Sequence, residues 1–363
     1  MLIIERRKTM KKILAMLLTL AMIFALCACG DSGSTNTPAP ANEGTTEKAP
    51  AESSAPAEPE FILKIGHDQG EAHPYQNFAV AFKESLEEAS NGRIQVDIYG
   101  AGVLGTETEM TQSLQLGTLD FLISTTANSS VIIPELGVLG MPFLYQSTEH
   151  GRAVCTDPDI LSYWQDIVDN SNTGIVLLNI ACSGWRNLYA NYPINTLDDI
   201  VGKNVRTQSS EIETKMWKQL GANPVNMSFG EIYTSFETGL IDAAENCPTS
   251  YYTNAHHEVA PYYINSQHTL MIHPIMASQQ IMDKLDDDLK AAVYEAAQVA
   301  SDELFEAQMS ADEMYLQKAI EEGVTYIEDF DMSPAYEACA PLHREFAESL
   351  GQSEALDAIL ALA

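Results

Sequence analysis

The sequence predicts an α/β protein built as two lobes, with one long helix crossing both. Three observations carry this. Strand-like and helix-like runs alternate from Phe61 onward, as in α/β layers. A chain of 363 residues suggests two domains or one large two-lobed unit, long enough to bury a core. From Ile275 to Glu322 there is neither Gly nor Pro, and Asp283–Glu322 has helix-forming composition. A helix of about 40 residues would span about 60 Å, more than one small lobe.

The elements follow in order. Arg6, Arg7, Lys8, Lys11 and Lys12 precede an apolar run from Ile13 to Leu26. At 14 residues that run is short for a membrane span, which needs about 20, and fits the apolar region of an export signal. It ends in Leu26-Cys27-Ala28-Cys29-Gly30, which resembles a bacterial lipobox. On that reading residues 1–28 are a lipoprotein signal peptide and Cys29 carries a lipid that anchors the exported chain to the membrane. An ordinary signal peptide cut nearby is the alternative. Residues 29–60, rich in Ser, Thr, Pro, Ala and Glu without an aromatic, read as a tether.

Phe61–Asp68 and Arg93–Tyr99 read as strands around a helix at Asn77–Ala89, closed by Asn91-Gly92. Thr106–Leu116 reads as a helix, and Asp120–Ser124 and Gly174–Cys182 as apolar strands. Thr196 and Asp199 form a capping-box pattern ahead of a strand at Asn204–Gln208. Ser210–Leu220 and Phe229–Thr238 read as helices, and His268–Met282 as a long apolar segment. Asp286, Asp287 and Asp288 suit the start of the long helix, whose dipole favours acids there. Two helices broken near Ser310-Ala311-Asp312 are the alternative to one.

Composition excludes some functions. Asp and Glu number 51 against 19 Lys and Arg, a net charge of −32. Losing residues 1–28 would remove five basic groups and one acid, giving −36. A phosphate backbone needs a basic patch, so nucleic acid is not a partner. Cys155, Cys182, Cys247 and Cys339 are spaced too widely for a zinc pattern, and their pairing cannot be read from sequence. His67, His73, His256, His257, His268 and His273 are scattered. His256-His257-Glu258 suggests a metal only weakly, because adjacent residues on a helix point apart.

Gly100-Ala101-Gly102-Val103-Leu104-Gly105 is formally the GxGxxG of dinucleotide sites. The acid expected to end the next strand is missing, since Asp120 begins its strand instead. A glycine turn from strand to helix is the plainer reading, and an exported NAD-linked enzyme the remote one. Arginines are scarce: after residue 28 only Arg93, Arg152, Arg186, Arg206 and Arg344 occur. Arg186 follows an apolar strand and Arg206 lies inside one, so both are expected to be buried. A buried guanidinium needs an anion, either a ligand carboxylate gripped by its fork or an internal acid.

Several segments together resemble a known family. They are Gly184-Trp185-Arg186-Asn187, the run from Pro193 to Arg206, Leu220 to Tyr233, and Gly239 to Asn246. Upstream, Asn91-Gly92-Arg93-Ile94, Gly102 to Gly105 and Leu116 to Phe121 match too. These resemble the extracytoplasmic solute receptors of TRAP (tripartite ATP-independent periplasmic) transporters over about residues 61–350. The resemblance implies a two-lobed periplasmic-binding-protein fold of the class II type. Residues 61–183 with 272–311 would form lobe 1, and 184–271 with 312–363 lobe 2. It also implies a receptor rather than an enzyme, with no cofactor, working with membrane permease subunits. Arg206 would pair with the carboxylate of an organic anion, with Arg186 in support, Phe229 as an aromatic wall and Asn246 as an amide contact. Glu107, Thr125, Asp68 and His73 fall at further pocket positions. The stretch from Ala244 to His268 is similar to members taking sugar acids such as hexuronates, and Tyr251 joins the candidates there. A C4-dicarboxylate or another organic acid is the alternative ligand.

Overall fold

The computed structural model describes residues 58–363. The expected signal peptide, Cys29 and the tether up to residue 57 lie outside the described residues. The elements run β1 (Phe61–Gly66), α1 (Pro74–Ala89), β2 (Ile94–Tyr99), α2 (Glu107–Leu116), β3 (Phe121–Ile123), α3 (Thr126–Ser129), α4 (Thr148–Thr156) and α5 (Pro158–Asn170). Then come β4 (Ile175–Ala190), β5 (Asn204–Thr207), α6 (Glu211–Gln219), β6 (Asn223–Asn226), α7 (Ile232–Glu237), β7 (Ala243–Asn246), α8 (Pro248–Thr253) and α9 (His256–Val259). The chain ends through β8 (Tyr262–Ser278), α10 (Gln279–Met282), α11 (Asp287–Glu321), β9 (Thr325–Ile327), α12 (Ser333–Ser349) and α13 (Ser353–Leu360).

Local chemistry sets the early elements. His73 caps α1 by accepting the Tyr75 N–H, and Pro74 takes the first turn, where its missing N–H costs nothing. Phe78, Phe82 and Leu86, four residues apart, bury one face of α1. Thr106 and Glu109 form a capping box at α2, and Gly117 ends that helix in the left-handed region at φ +67°. Asp199 accepts the N–H groups of Asn195 and Thr196, as the capping pattern predicts, over a single 3-10 turn.

All nine strands form one mixed sheet, in the order β2-β1-β3-β8-β4-β7-β5-β6, with β9 beside β8. Parallel βαβ units lie at both ends, β2-β1-β3 and β7-β5-β6. The long antiparallel strands β4 and β8 join them, pairing from Ile175↔Ser278 to Ala190↔Tyr262 with register shifts around Cys182–Trp185 and Arg186–Leu188. β4 continues eight residues past the apolar run that marked it, through Gly184-Trp185-Arg186-Asn187. Helices α4, α5, α12 and α13 carry no counterpart in the sequence reading.

Each half of the sheet is covered on both faces. Around β1 and β3, Phe78, Phe82, Phe121, Ala296 and Ala300 pack on one side, and Leu136, Trp164 and Met276 on the other. Around β5 and β7, Val205 and Trp217 pack on one side, and Tyr189, Tyr251 and Tyr263 on the other. α11 is a single helix of 35 residues, about 52 Å at 1.5 Å per residue, and runs unbroken through Ser310. The two-helix alternative is therefore incorrect. Its first half sits on α1 along a stripe of Ala292, Ala296 and Ala300, and its second half on α8. There Asp312 accepts the N–H and hydroxyl of Thr249 at 3.0 and 2.6 Å.

Cys155, Cys182, Cys247 and Cys339 are buried free thiols. Among the described residues no helix is long and apolar enough to cross a membrane, and no cluster of His, Cys, Asp or Glu could hold a metal ion.

Candidate functional site

Four adjacent strands, β8, β4, β7 and β5, carry the charges of the site across the sheet. His268, Arg186, Glu245 and Arg206 follow one another in that order, and all are buried. Arg186 grips Glu245 with its fork: Nε donates to Oε2, and Nη2 donates to Oε1 at 2.8 Å and to the Glu245 carbonyl at 3.0 Å. His268 Nε2 lies 3.6 Å from the same carboxylate. Burial alone would keep Glu245 protonated, but Arg186 and His268 hold its pKa below the usual carboxylate range.

Arg206 is placed differently. Its Nε and Nη2 donate to the Met227 carbonyl at 3.2 and 3.0 Å. Its Nη1 lies 3.6 Å from Glu245, beyond hydrogen-bond distance, and has no hydrogen-bond partner among the described residues. The side chain is 2% exposed. Burial pulls its pKa below the ordinary guanidinium value, with Glu245 opposing. A buried cation with an unmade hydrogen bond is costly unless an anion completes it.

Arg206 lines a narrow chamber. Asp68, His73, Glu107, Thr125, Arg186, Arg206, Phe229 and Asn246 all line it. Its volume is about 30 Å³, room for one or two water-sized groups. Asp68, Glu107, Asn128 and Phe229 also line an adjoining cleft of about 630 Å³.

The walls are tightly held. Glu107 accepts four hydrogen bonds at Oε2, from the Ser124 hydroxyl, the Thr125 N–H and hydroxyl, and the Asn128 amide, at 2.7–3.1 Å. Asp68 accepts from Gln69 Nε2 at 3.0 Å, and burial together with the Glu107 charge pushes its pKa up. Asn246 Oδ1 accepts the Cys247 N–H at 2.8 Å. Phe229 rests on His256 with ring centroids 5.5 Å apart.

Two hydrogen bonds join the halves of the sheet across the chamber. Gln208, after β5, donates from Nε2 to the Thr125 hydroxyl at 3.1 Å. His73 Nδ1 accepts the Tyr75 N–H, so Nε2 carries the proton and donates to the Ser250 hydroxyl at 3.1 Å. Burial pushes His73 down to about 3, so the ring is neutral.

The family whose model matches residues 65–349 is DctP, bacterial extracellular solute-binding protein, family 7. The chain belongs to this family. A solute-binding protein of Chromohalobacter salexigens is 28% identical over 289 residues, covering 78% of this chain and 84% of the relative. The C4-dicarboxylate-binding periplasmic protein DctP of Rhodobacter capsulatus is 26% identical over 299 residues, covering 81% and 89%. A TRAP periplasmic solute binding protein of Xanthobacter autotrophicus Py2, solved with bound β-D-galacturonate, matches with a TM-score of 0.77 and 29% identity, over 82% of this chain and 99% of that one.

In this family 7 protein the structure gathers eight of the nine residues marked from sequence. Tyr251 is the exception. It is fully buried in the core among Tyr189 and Tyr263, and its hydroxyl donates to the Ala260 carbonyl at 2.7 Å. The stretch around it suggested a polar contact, but the aromatic packing of the sheet face claims it.

Glu245, Gln208, Asn128 and Ser250 escaped the sequence reading. Gln208 had a signal: two residues beyond Arg206 on an extended segment, it shares the Arg206 face. The glycine loop does not fit a dinucleotide. Its Ala101 and Gly102 N–H groups donate to the Gln69 and His67 carbonyls, and the helix after it opens with Glu107 and Glu109, which would repel a pyrophosphate.

Proposed function

We propose that this chain is the substrate-binding receptor of a TRAP transporter and captures a sugar acid of the hexuronate or aldonate type. One observation carries the reading: Arg206, buried and with Nη1 unpaired, lines a chamber ringed by neutral and acidic hydrogen-bonding groups. A carboxylate fits beside it. The chamber is too small for a whole sugar, so the hydroxyl-bearing carbons extend toward Asp68, Glu107 and Asn128 and the larger cleft. Unmatched buried hydroxyls are costly, which gives these partners their discriminating power.

On this reading 61–183 with 272–311 and 184–271 with 312–363 are two lobes that move on β4 and β8. The bonds Gln208–Thr125 and His73–Ser250 close them over the ligand. Closure excludes water and strengthens the ion pair. The closed receptor hands its cargo to membrane permease subunits driven by an ion gradient, and Cys29 tethers it by a lipid outside the cytoplasm. It binds and releases without chemical change, so no cofactor or catalytic group enters.

A C4-dicarboxylate is the second reading, favoured by the Rhodobacter relative. Against it, Arg186 is committed to Glu245 and leaves Arg206 as the one cation with an open nitrogen among the chamber residues. Thermal shift of the chain from residue 61 onward tests both readings with D-galacturonate, D-glucuronate, D-gluconate, succinate, malate and NAD. A ligand at 100 times its Kd stabilises by about 2.7 kcal/mol, a shift of several degrees. A hit among sugar acids supports the first reading, and a hit confined to the dicarboxylates replaces it with the second. NAD binding would overturn both.

A further inference from the structure

The chamber is lined by groups of opposite sign. Arg206 lines the chamber only, whereas Asp68 and Glu107 line both the chamber and the adjoining 630 Å³ cleft. The far end of any ligand seated on Arg206 therefore passes beside these acids. Among the described residues neither has a hydrogen-bonded basic partner: Asp68 accepts from the Gln69 amide, and Glu107 from two hydroxyls, an N–H and an amide. All four donors to Glu107 reach Oε2, leaving Oε1 without a protein donor.

We infer that Glu107, beside Asp68, forms a charge filter, admitting acids whose far end carries hydroxyls and rejecting those with a second carboxylate there. Hydroxyls can donate to the open carboxyl oxygens. A second carboxylate brings only acceptors, beside the Glu107 carboxylate and with no Lys or Arg lining the cleft to meet it. The inference rests on the reading of Arg206 as the carboxylate site.

Matched pairs of one carbon chain, oxidised at one end or both, isolate the effect. Calorimetry compares D-galacturonate with galactarate, and D-gluconate with glucarate, on the wild-type chain and Glu107→Gln. The wild type prefers the singly charged member of each pair by at least about 100-fold. Glu107→Gln, by turning an acceptor into a donor, narrows the ratio by at least about 10-fold, mainly through tighter binding of the doubly charged acid.

Wild-type affinities within about threefold for both members of a pair overturn the inference. So does an unchanged ratio in a Glu107→Gln protein that melts as a folded protein. Preference for gluconate over glucarate without uronate binding removes the hexuronate reading and keeps the filter. Tight binding of malate with none of the monocarboxylates removes the filter and the sugar-acid reading together.

Discussion

Arg186 and Glu245 are locked together on neighbouring strands, and their pairing is what leaves Arg206 available. The Arg186 fork takes both Glu245 oxygens, while Arg206 Nη1 stands 3.6 Å away, in reach of the charge but outside hydrogen-bond distance. Glu245 thus accepts hydrogen bonds from one of two buried cations, and Nη1 of the other has no hydrogen-bond partner among the described residues.

Removing Arg206 should therefore remove the ligand and spare the fold. Arg206→Ala is expected to cost about 2–5 kcal/mol of carboxylate binding. Arg206→Lys should also weaken it, because an ammonium cannot hold the Met227 carbonyl and a ligand as a planar fork does. Titration calorimetry on a wild-type ligand checks this, and unchanged affinity in Arg206→Ala would sink the carboxylate clamp.

Glu245 plays the opposite part. Glu245→Gln takes from Arg186 its hydrogen-bonded carboxylate and from Arg206 the carboxylate 3.6 Å away, which should destabilise the ligand-free protein by about 3 kcal/mol or more. Urea unfolding reads the loss directly. A midpoint equal to wild type would mean that water reaches these charges.

Tyr251 separates packing from binding. Tyr251→Phe keeps the ring among Tyr189 and Tyr263 but loses the bond to Ala260, so stability should fall by about 1 kcal/mol with ligand affinity unchanged. A tenfold loss of affinity in that variant would return Tyr251 to the binding site.

His273 predicts a pH effect. Its ring lies between the Tyr75 and Ser183 hydroxyls at 2.9 and 2.7 Å, and burial pushes it down to about 3. The unfolded chain takes up that proton near pH 6.5 and the folded chain only near 3. Stability from this group is therefore complete above about pH 6.5 and declines as pH falls toward 3, by up to about 1.4 kcal/mol per pH unit. Asp312, raised to about 6 by burial, acts in the opposite direction between its unfolded value and 6. The wild-type slope mixes these with other buried groups such as His73 and His256, so the test is the difference between wild type and His273→Gln in urea midpoints at pH 7, 6 and 5. Parallel curves would refute it.

Much of this was legible in the chain. Period-two and period-four apolar spacing placed β1, β2, α1 and α6, and the Gly- and Pro-free run announced α11. The extension of β4 was hidden because Ser183, Gly184, Arg186 and Asn187 read as the end of an apolar strand. They continue it because their partners lie on other strands: Glu245 and Asn246 on β7, His273 on β8. The scarcity of arginine pointed to Arg186 and Arg206, but a one-dimensional pattern could not say which of them an internal acid would claim. Tyr251 failed for the same reason, since a tyrosine beside Asn246 looks polar until the tertiary packing is known.

The depth of Arg206 has a kinetic consequence. Its charge is sunk in the sheet of a chain with a net charge of −32, so an approaching anion meets a repulsive field before it meets its cation. Raising ionic strength shortens the reach of that field from about 30 Å at 0.01 M to about 8 Å at 0.15 M. Association should therefore speed up as salt is added, while dissociation, governed by contacts sealed away from the solvent, holds nearly constant.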